Sequence, residues 1–145
     1  MSSLKIRPLQ DGLAFGVRIA GVTEALLRDE AVRKEIVDVF EDKGMIVDIA
    51  HCSRQCVTEI LAMARRPVVS SHGGVQATCK VNRNLSDEHI RGVAKTGGII
   101  GIGYWDGAIC DTNPKSVAKA MKHVRDLVGI QHVALGSDYD GATTV

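Results

Sequence analysis

The apolar positions of this chain change period twice along its length. Residues 4–8 and 15–22 alternate apolar and polar side chains around Asp11-Gly12, which predicts a hairpin of two half-buried strands. Over residues 24–43 the period lengthens, with Val32, Ile36, Val39 and Phe40 at i, i+4, i+7 and i+8 among charged residues. One apolar stripe on a helix is predicted there, closed by Gly44 at C′. Beyond Gly44, short and nearly continuous apolar runs (45–50, 67–71, 99–105 and 132–137) alternate with amphipathic segments (53–64, 86–95 and 113–128). Strands buried on both faces read as such runs, so a β-α-β-α-β-α-β order around a parallel sheet is expected. Ser53, Ser86 and Asn113 stand where N-caps belong, Pro114 at N1 and Gly129 at C′, which delimits the three helices.

Composition narrows the picture. A chain of 145 residues, 45% apolar, makes one ordinary domain or two pieces of domains, and a complete eight-stranded α/β barrel needs about 250 residues. Eighteen Lys and Arg against 17 Asp and Glu leave a formal charge of +1, without the positive excess that a nucleic-acid partner demands. The longest apolar run, residues 97–105, is about half a membrane span, and MSSLKIRPLQ carries no apolar leader segment, so a cytoplasmic chain with no membrane partner is expected. Cys52, Cys56, Cys79 and Cys110 include no C-x-x-C pair; reduced thiols are expected in place of a disulfide framework.

Each predicted strand of the second part ends in groups able to do chemistry: His51, His72, Tyr104 with Trp105, and Asp138. Ligands of parallel α/β folds bind at the C-terminal edge of the sheet, where these ends converge. Two imidazoles and a carboxylate at one mouth suit zinc or a similar divalent ion, which lowers the pKa of a bound water for hydrolysis. His89, His123 and His132 read as structural or solvated. Arg83, between the His72 loop and the Ser86 cap, has the planar donor fork that holds a carboxylate. In Gly136-Ser137-Asp138-Tyr139-Asp140-Gly141 the turn pair is Asp140-Gly141, which leaves Asp138 for the site. Gly73-Gly74 and Gly97-Gly98 fit no phosphate-binding motif, and Cys52, Cys56 and His72 match no structural-zinc spacing.

The motifs GMIVDIAH, RPVVSSHGG, RNLSDEHIRGVAKTGGIIGI and LVGIQHVALGSDYDG give residues 44–145 a specific resemblance to the C-terminal half of the renal or membrane dipeptidase family, the M19 metallopeptidases. The resemblance implies an α/β fold: a partial (β/α)8 metallo-dependent hydrolase barrel, its last four βα units, preceded by a β-hairpin and helix. It makes His51 and His72 metal ligands on the fifth and sixth barrel strands, Arg83 the grip on the substrate carboxylate, and Asp138 the group that handles protons during attack on a dipeptide amide. Residues 1–47 are similar instead to the opening of taurine-type 2-oxoglutarate-dependent dioxygenases. The expected division is therefore 1–47 and 48–145, an apparent chimera joined at GMIV.

Both resemblances imply missing parts. Dioxygenases of that type bind iron through H-x-D and a distant His, and no H-x-D occurs in this chain; an oxygenase remnant is the weakest reading. The dipeptidase family builds a two-metal centre from an H-x-D, a bridging Glu and the two histidines found here, so at most one Zn2+ is expected to be retained. The sequence thus predicts a zinc-dependent dipeptidase-like hydrolase with reduced or zero turnover, the alternative being a catalytically inactive truncated or chimeric fragment. Half a barrel also leaves two open sheet edges, which a homo-oligomer could cover.

Overall fold

The computed structural model describes residues 4–13 and 15–142; the outermost positions of both expected pieces, 1–3 and 143–145, lie outside the described residues. The chain divides into two compact units, Met1–Met45 and Ile46–Val145.

In the first unit, β1 (Lys5–Pro8) pairs antiparallel with β2 (Val17–Ala20), with Lys5 opposite Ala20 and Pro8 opposite Val17. The predicted hairpin forms, turning where Leu13 N donates to Gln10 O at 3.2 Å. The single helix expected over 24–43 is two: α1 (Glu24–Leu27) and α2 (Glu30–Asp42). Asp29 causes the break, because its backbone is extended and its carboxylate accepts from Ala31 N at 2.9 Å, starting a new helix with its own cap. Helix α2 ends in a Schellman motif, Met45 N to Phe40 O at 2.8 Å and Gly44 N to Glu41 O at 3.1 Å. Gly44 sits at φ 71°, which glycine adopts without a Cβ penalty.

The second unit runs β3 (Val47–Asp48), α3 (Arg54–Met63), β4 (Val68–Gly73), α4 (Asp87–Lys95), β5 (Ile99–Ile102), α5 (Asp106–Ile109), α6 (Pro114–Val128), a 3-10 turn (Ile130–His132) and β6 (Val133–Leu135). The strands lie in the order β3-β4-β5-β6 and every pairing is parallel. Sequence order and spatial order coincide, so each strand is reached by a helical crossover, as in an arc of a (β/α)8 barrel. Ser53, Ser86 and Asn113 cap α3, α4 and α6 through side-chain oxygens. The sequence pattern missed α5 and the 3-10 turn, both too short to show a helical period.

Alternation along the strands assigns the two faces of the sheet. Val47, Ile49, Val68, Ile100 and Ile102 are buried together with Val57, Ile90, Val93, Ala120 and Val124 of the helices. Burying a side chain such as Ile90, Ile100 or Ile102 contributes about 1.5–3 kcal/mol each. The opposite face carries Asp48, Ser71 and Gly101. A Cβ on Gly101 would lie 2.2 Å from Ser71 O, so only glycine lets these two strands approach as they do. No helix among the described residues is long and apolar enough to cross a membrane.

Candidate active site

His51 follows β3, His72 is the next-to-last residue of β4, Trp105 follows β5 and Asp138 follows β6. The sequence had placed His72 just past its strand; the strand continues through it to Gly73. His51 Nε2 and His72 Nε2 stand 2.9 Å apart, with ring centroids at 4.9 Å. Two nitrogens bound tetrahedrally to one zinc at about 2.0–2.1 Å are about 3.3 Å from each other. The two imidazoles therefore converge to nearly the spacing that one cation imposes. The other ring nitrogen of His72, Nδ1, is 2.9 Å from Ser71 Oγ, which fixes the ring. Asp138 Oδ2 lies 3.9 Å from His72 Nε2, and among the described residues no group of three or more His, Cys, Asp or Glu is arranged to hold a metal.

Backbone strain collects here. Among the described residues, the non-glycine positions at positive φ are His51 (65°), Cys110 (64°) and Asp138 (57°). Holding a side chain in the left-handed region costs free energy that surrounding structure must offset, and such positions cluster at functional sites. Asp138 O accepts from Gly141 N at 3.0 Å and Ala142 N at 2.7 Å, so the turn opens at Asp138 with Tyr139 and Asp140 at its centre, one residue ahead of the expected Asp140-Gly141 pair.

Arg83 stacks on Trp105, its guanidinium carbon 4.9 Å from the ring centroid, and Trp105 in turn is 6.0 Å from the His72 ring. A guanidinium lying on an indole keeps its in-plane N–H donors available. The structure thus brings His51, His72, Trp105 and Arg83 into one chain of contacts, with Asp138 at the edge of the pair.

Sequence reasoning missed Asp48, whose signal was a carboxylate inside an otherwise apolar strand. Its Oδ1 accepts from Ala50 N at 3.0 Å and from Ser71 N at 3.1 Å, tying β3 to β4 beside the residue that precedes His72. Burial pushes its carboxyl up, but the bonds from the Ser71 side chain and from the Ala50 and Ser71 amides outweigh this and hold it below the usual carboxylate range. A carboxylate depressed on folding stabilises the fold above its unfolded pKa, and that contribution is lost as pH falls through the depressed folded value. Asp48→Asn should therefore flatten the acid limb of the stability profile below about pH 4. Urea midpoints at stepped pH would read this, and a variant as acid-sensitive as the parent would contradict it.

The remaining histidines are structural. His89 is buried, 3.1 Å from Thr58 Oγ1, and burial lowers its pKa below the ordinary imidazole value. His123 Nε2 meets Asp87 Oδ1 at 2.7 Å, and His132 Nδ1 meets Gly98 O at 2.7 Å in the 3-10 turn, not in the strand expected for it. Neither of two sizeable cavities, about 470 Å³ around His89 between α3 and α4 and about 520 Å³ beside Tyr104, Tyr139 and Met121, contains the imidazole pair. The mouth is open.

The cysteines require a correction. Cys79 and Cys110, expected as thiols, form a disulfide with Cα atoms 5.4 Å apart. Local spacing could not reveal it, because the partners are 31 residues apart and meet only when the segments following β4 and β5 fold side by side. Cys52 and Cys56 remain free. Burial, then a hydrogen bond with Cys56, pushes the Cys52 thiol up to about 11, which keeps it protonated near neutral pH.

The family model for membrane dipeptidases (peptidase family M19) matches residues 31–145, beginning within the helix α2 and not at residue 44 as the motifs suggested. Dipeptidase 3 of Macaca fascicularis is 29% identical over 112 residues, covering 75% of this chain and 23% of the relative. Among solved structures, the dipeptidase AC, an M19 metallopeptidase, superposes with a TM-score of 0.73 at 22% identity, covering 78% of this chain and 34% of that one. A metallopeptidase from Rhodobacter sphaeroides, liganded with a phosphinate mimic of the dipeptide L-Ala-D-Ala, gives 0.72 at 22% identity with the same coverage. These likenesses show the fold, a partial (β/α)8 barrel. The chain spans about a quarter of the length of the first relative and about a third of the two solved chains.

Proposed function

The chain belongs to the membrane dipeptidase family, peptidase family M19, and from that membership we propose that its second unit is a dipeptidase-like site that binds a short peptide beside one divalent cation. The observation that carries this reading is the 2.9 Å approach of His51 Nε2 to His72 Nε2. The donor chemistry fits a zinc-type ion: two imidazole nitrogens on adjacent strands, with Ser71 orienting one of them. His51 and His72 would hold it, and when bound such an ion supplies Lewis acidity and a water of lowered pKa.

The residues around it have separate tasks. Arg83, spread on Trp105, offers two parallel N–H bonds to the carboxylate of a peptide and so sets its direction. Asp138, with Oδ2 at 3.9 Å from His72 Nε2, stands where it can take or return a proton at the mouth. Trp105 walls one side and carries the Arg83 guanidinium on its ring. Binding with weak or no turnover is favoured over efficient hydrolysis by one specific observation: no third donor joins the imidazole pair among the described residues, whereas catalytic zinc sites keep three protein ligands.

The test is a dipeptide panel that includes L-Ala-D-Ala, offered with Zn2+ and followed both for cleavage and by calorimetry. Arg83→Met should weaken dipeptide binding by about ten- to a hundredfold, the range of a lost charge-assisted bond of about 1.5–3 kcal/mol. Removing the carboxylate from the ligand by amidation should cost the parent chain as much and the variant nothing further. Equal affinity of parent and Arg83→Met for the free acid would refute the assignment of Arg83, and no dipeptide affinity at any zinc concentration would refute the function.

A further inference from the structure

We infer that Asn84, together with the Cys79–Cys110 disulfide, is the device that positions Arg83 over Trp105. The functional value of that placement rests on the reading of Arg83 as a carboxylate anchor; the placement itself does not.

Asn84 is 1% exposed and adjoins Arg83 in sequence. Its amide nitrogen donates both hydrogens, to Cys79 O at 2.9 Å within its own loop and to Ala108 O at 2.8 Å in α5. The disulfide joins the same two segments a second time, through Cys110 at the end of α5. Trp105 is the residue that begins α5, as its N-cap. One tie on each side therefore fixes the loop bearing the guanidinium to the short helix bearing the indole. The base of the loop is closed as well, by Leu85 N to Gly74 O at 3.0 Å and Gln76 N to Leu85 O at 2.9 Å. A Cβ on Gly74 would fall 1.9 Å from Ala108 O and 2.7 Å from Asn84 Nδ2, so the backbone leaves room for the amide alone.

The amide is poorly explained as filling. Its Oδ1 is buried and has no hydrogen-bond partner among the described residues, a loss of about 1–3 kcal/mol that an apolar side chain of the same size would avoid. What the amide gains for that cost is a bridge between two carbonyls on different segments. Arg83 itself is exposed, and a long exposed side chain does not hold a stacked geometry unless its backbone is fixed.

Trp105 is the only tryptophan of the chain, so its emission and its quenching by acrylamide report the stacking directly. Arg83→Met supplies the signal of an indole without its guanidinium. Asn84→Ser should move the signal to that of Arg83→Met while unfolding remains cooperative. Reduction with dithiothreitol should move the parent the same way, reversibly on reoxidation, and should leave Arg83→Met unmoved, because coupled residues are not additive. L-Ala-D-Ala affinity should fall about tenfold in Asn84→Ser and in the reduced parent, the order of loss that misplacing a binding group brings.

A parent-like signal in Asn84→Ser overturns the inference, as does a reduction shift of equal size with and without Arg83. Variants that unfold outright, without shifting Trp105 in a folded chain, also count against positioning and for a purely structural role. If the emission results hold but Arg83→Met binds L-Ala-D-Ala as the parent does, the positioning stands and the carboxylate anchor falls.

Discussion

Replacing His72 with alanine should lower the affinity of the chain for Zn2+ by about a hundredfold or more, since losing even a group that only orients a ligand costs about 10–100-fold. His51→Ala should do the same. The two imidazoles reach one point, His51 Nε2 to His72 Nε2 at 2.9 Å, so the double variant should bind no more weakly than the worse single one. Such non-additivity is the signature of two groups serving one ion. Isothermal titration, or competition with a chromogenic chelator, would read all three variants. Parent-like affinity in either single variant would place the cation elsewhere. His51 is exposed and His72 half-buried, and neither is among the buried core residues, so the melting temperature without metal should change little.

The second large effect is on stability. Changing Cys79 and Cys110 together to serine releases a loop whose ends are 31 residues apart, and the loop-closure model assigns that constraint about 3–4 kcal/mol. For a domain whose whole stability is about 5–15 kcal/mol this is a large share. Urea unfolding of the double variant against the oxidised parent measures it, and a difference under about 1 kcal/mol would mean that the loop is held by other contacts. The bond also bears on handling. Disulfides persist in oxidising compartments and are kept reduced in the cytosol, so the described geometry belongs to the oxidised chain.

How far the sequence reached can be followed residue by residue. Val47, Val68, Ile100 and Val133 were visible as strands because each lies in a short, nearly uninterrupted apolar run. Ser53, Ser86 and Asn113 were visible as caps because a short oxygen-bearing side chain ahead of an amphipathic stretch has few other uses. The pairing of His51 with His72 followed from strand order, which brings successive strand ends together. Asp29 was hidden by the apolar stripe it interrupts, since periodicity records a buried face and not a break of one or two residues. The Cys79–Cys110 bond, the hydrogen bond of Asn84 to Ala108 O and the stacking of Arg83 on Trp105 were hidden for a different reason. Each joins loops distant in sequence, and nothing local distinguishes the partners. Asp48 was legible in principle, as the one carboxylate inside the apolar run of residues 45–50.

One feature of the sheet reaches beyond these variants. Strand β3 is held to β4 over Val47 and Asp48, with further bonds from Ile49 N to Val69 O at 2.8 Å and from Ser71 N to Asp48 Oδ1 at 3.1 Å, and β3 is the strand that leads to His51. Amides of β3 should therefore exchange with deuterium ahead of those in β4 and β5. A cation gripped by both rings would act as a rivet between this short edge strand and its neighbour. Zinc should slow exchange at residues 47–51 by mass action, making that short ladder a built-in gauge of how much metal the chain has taken up.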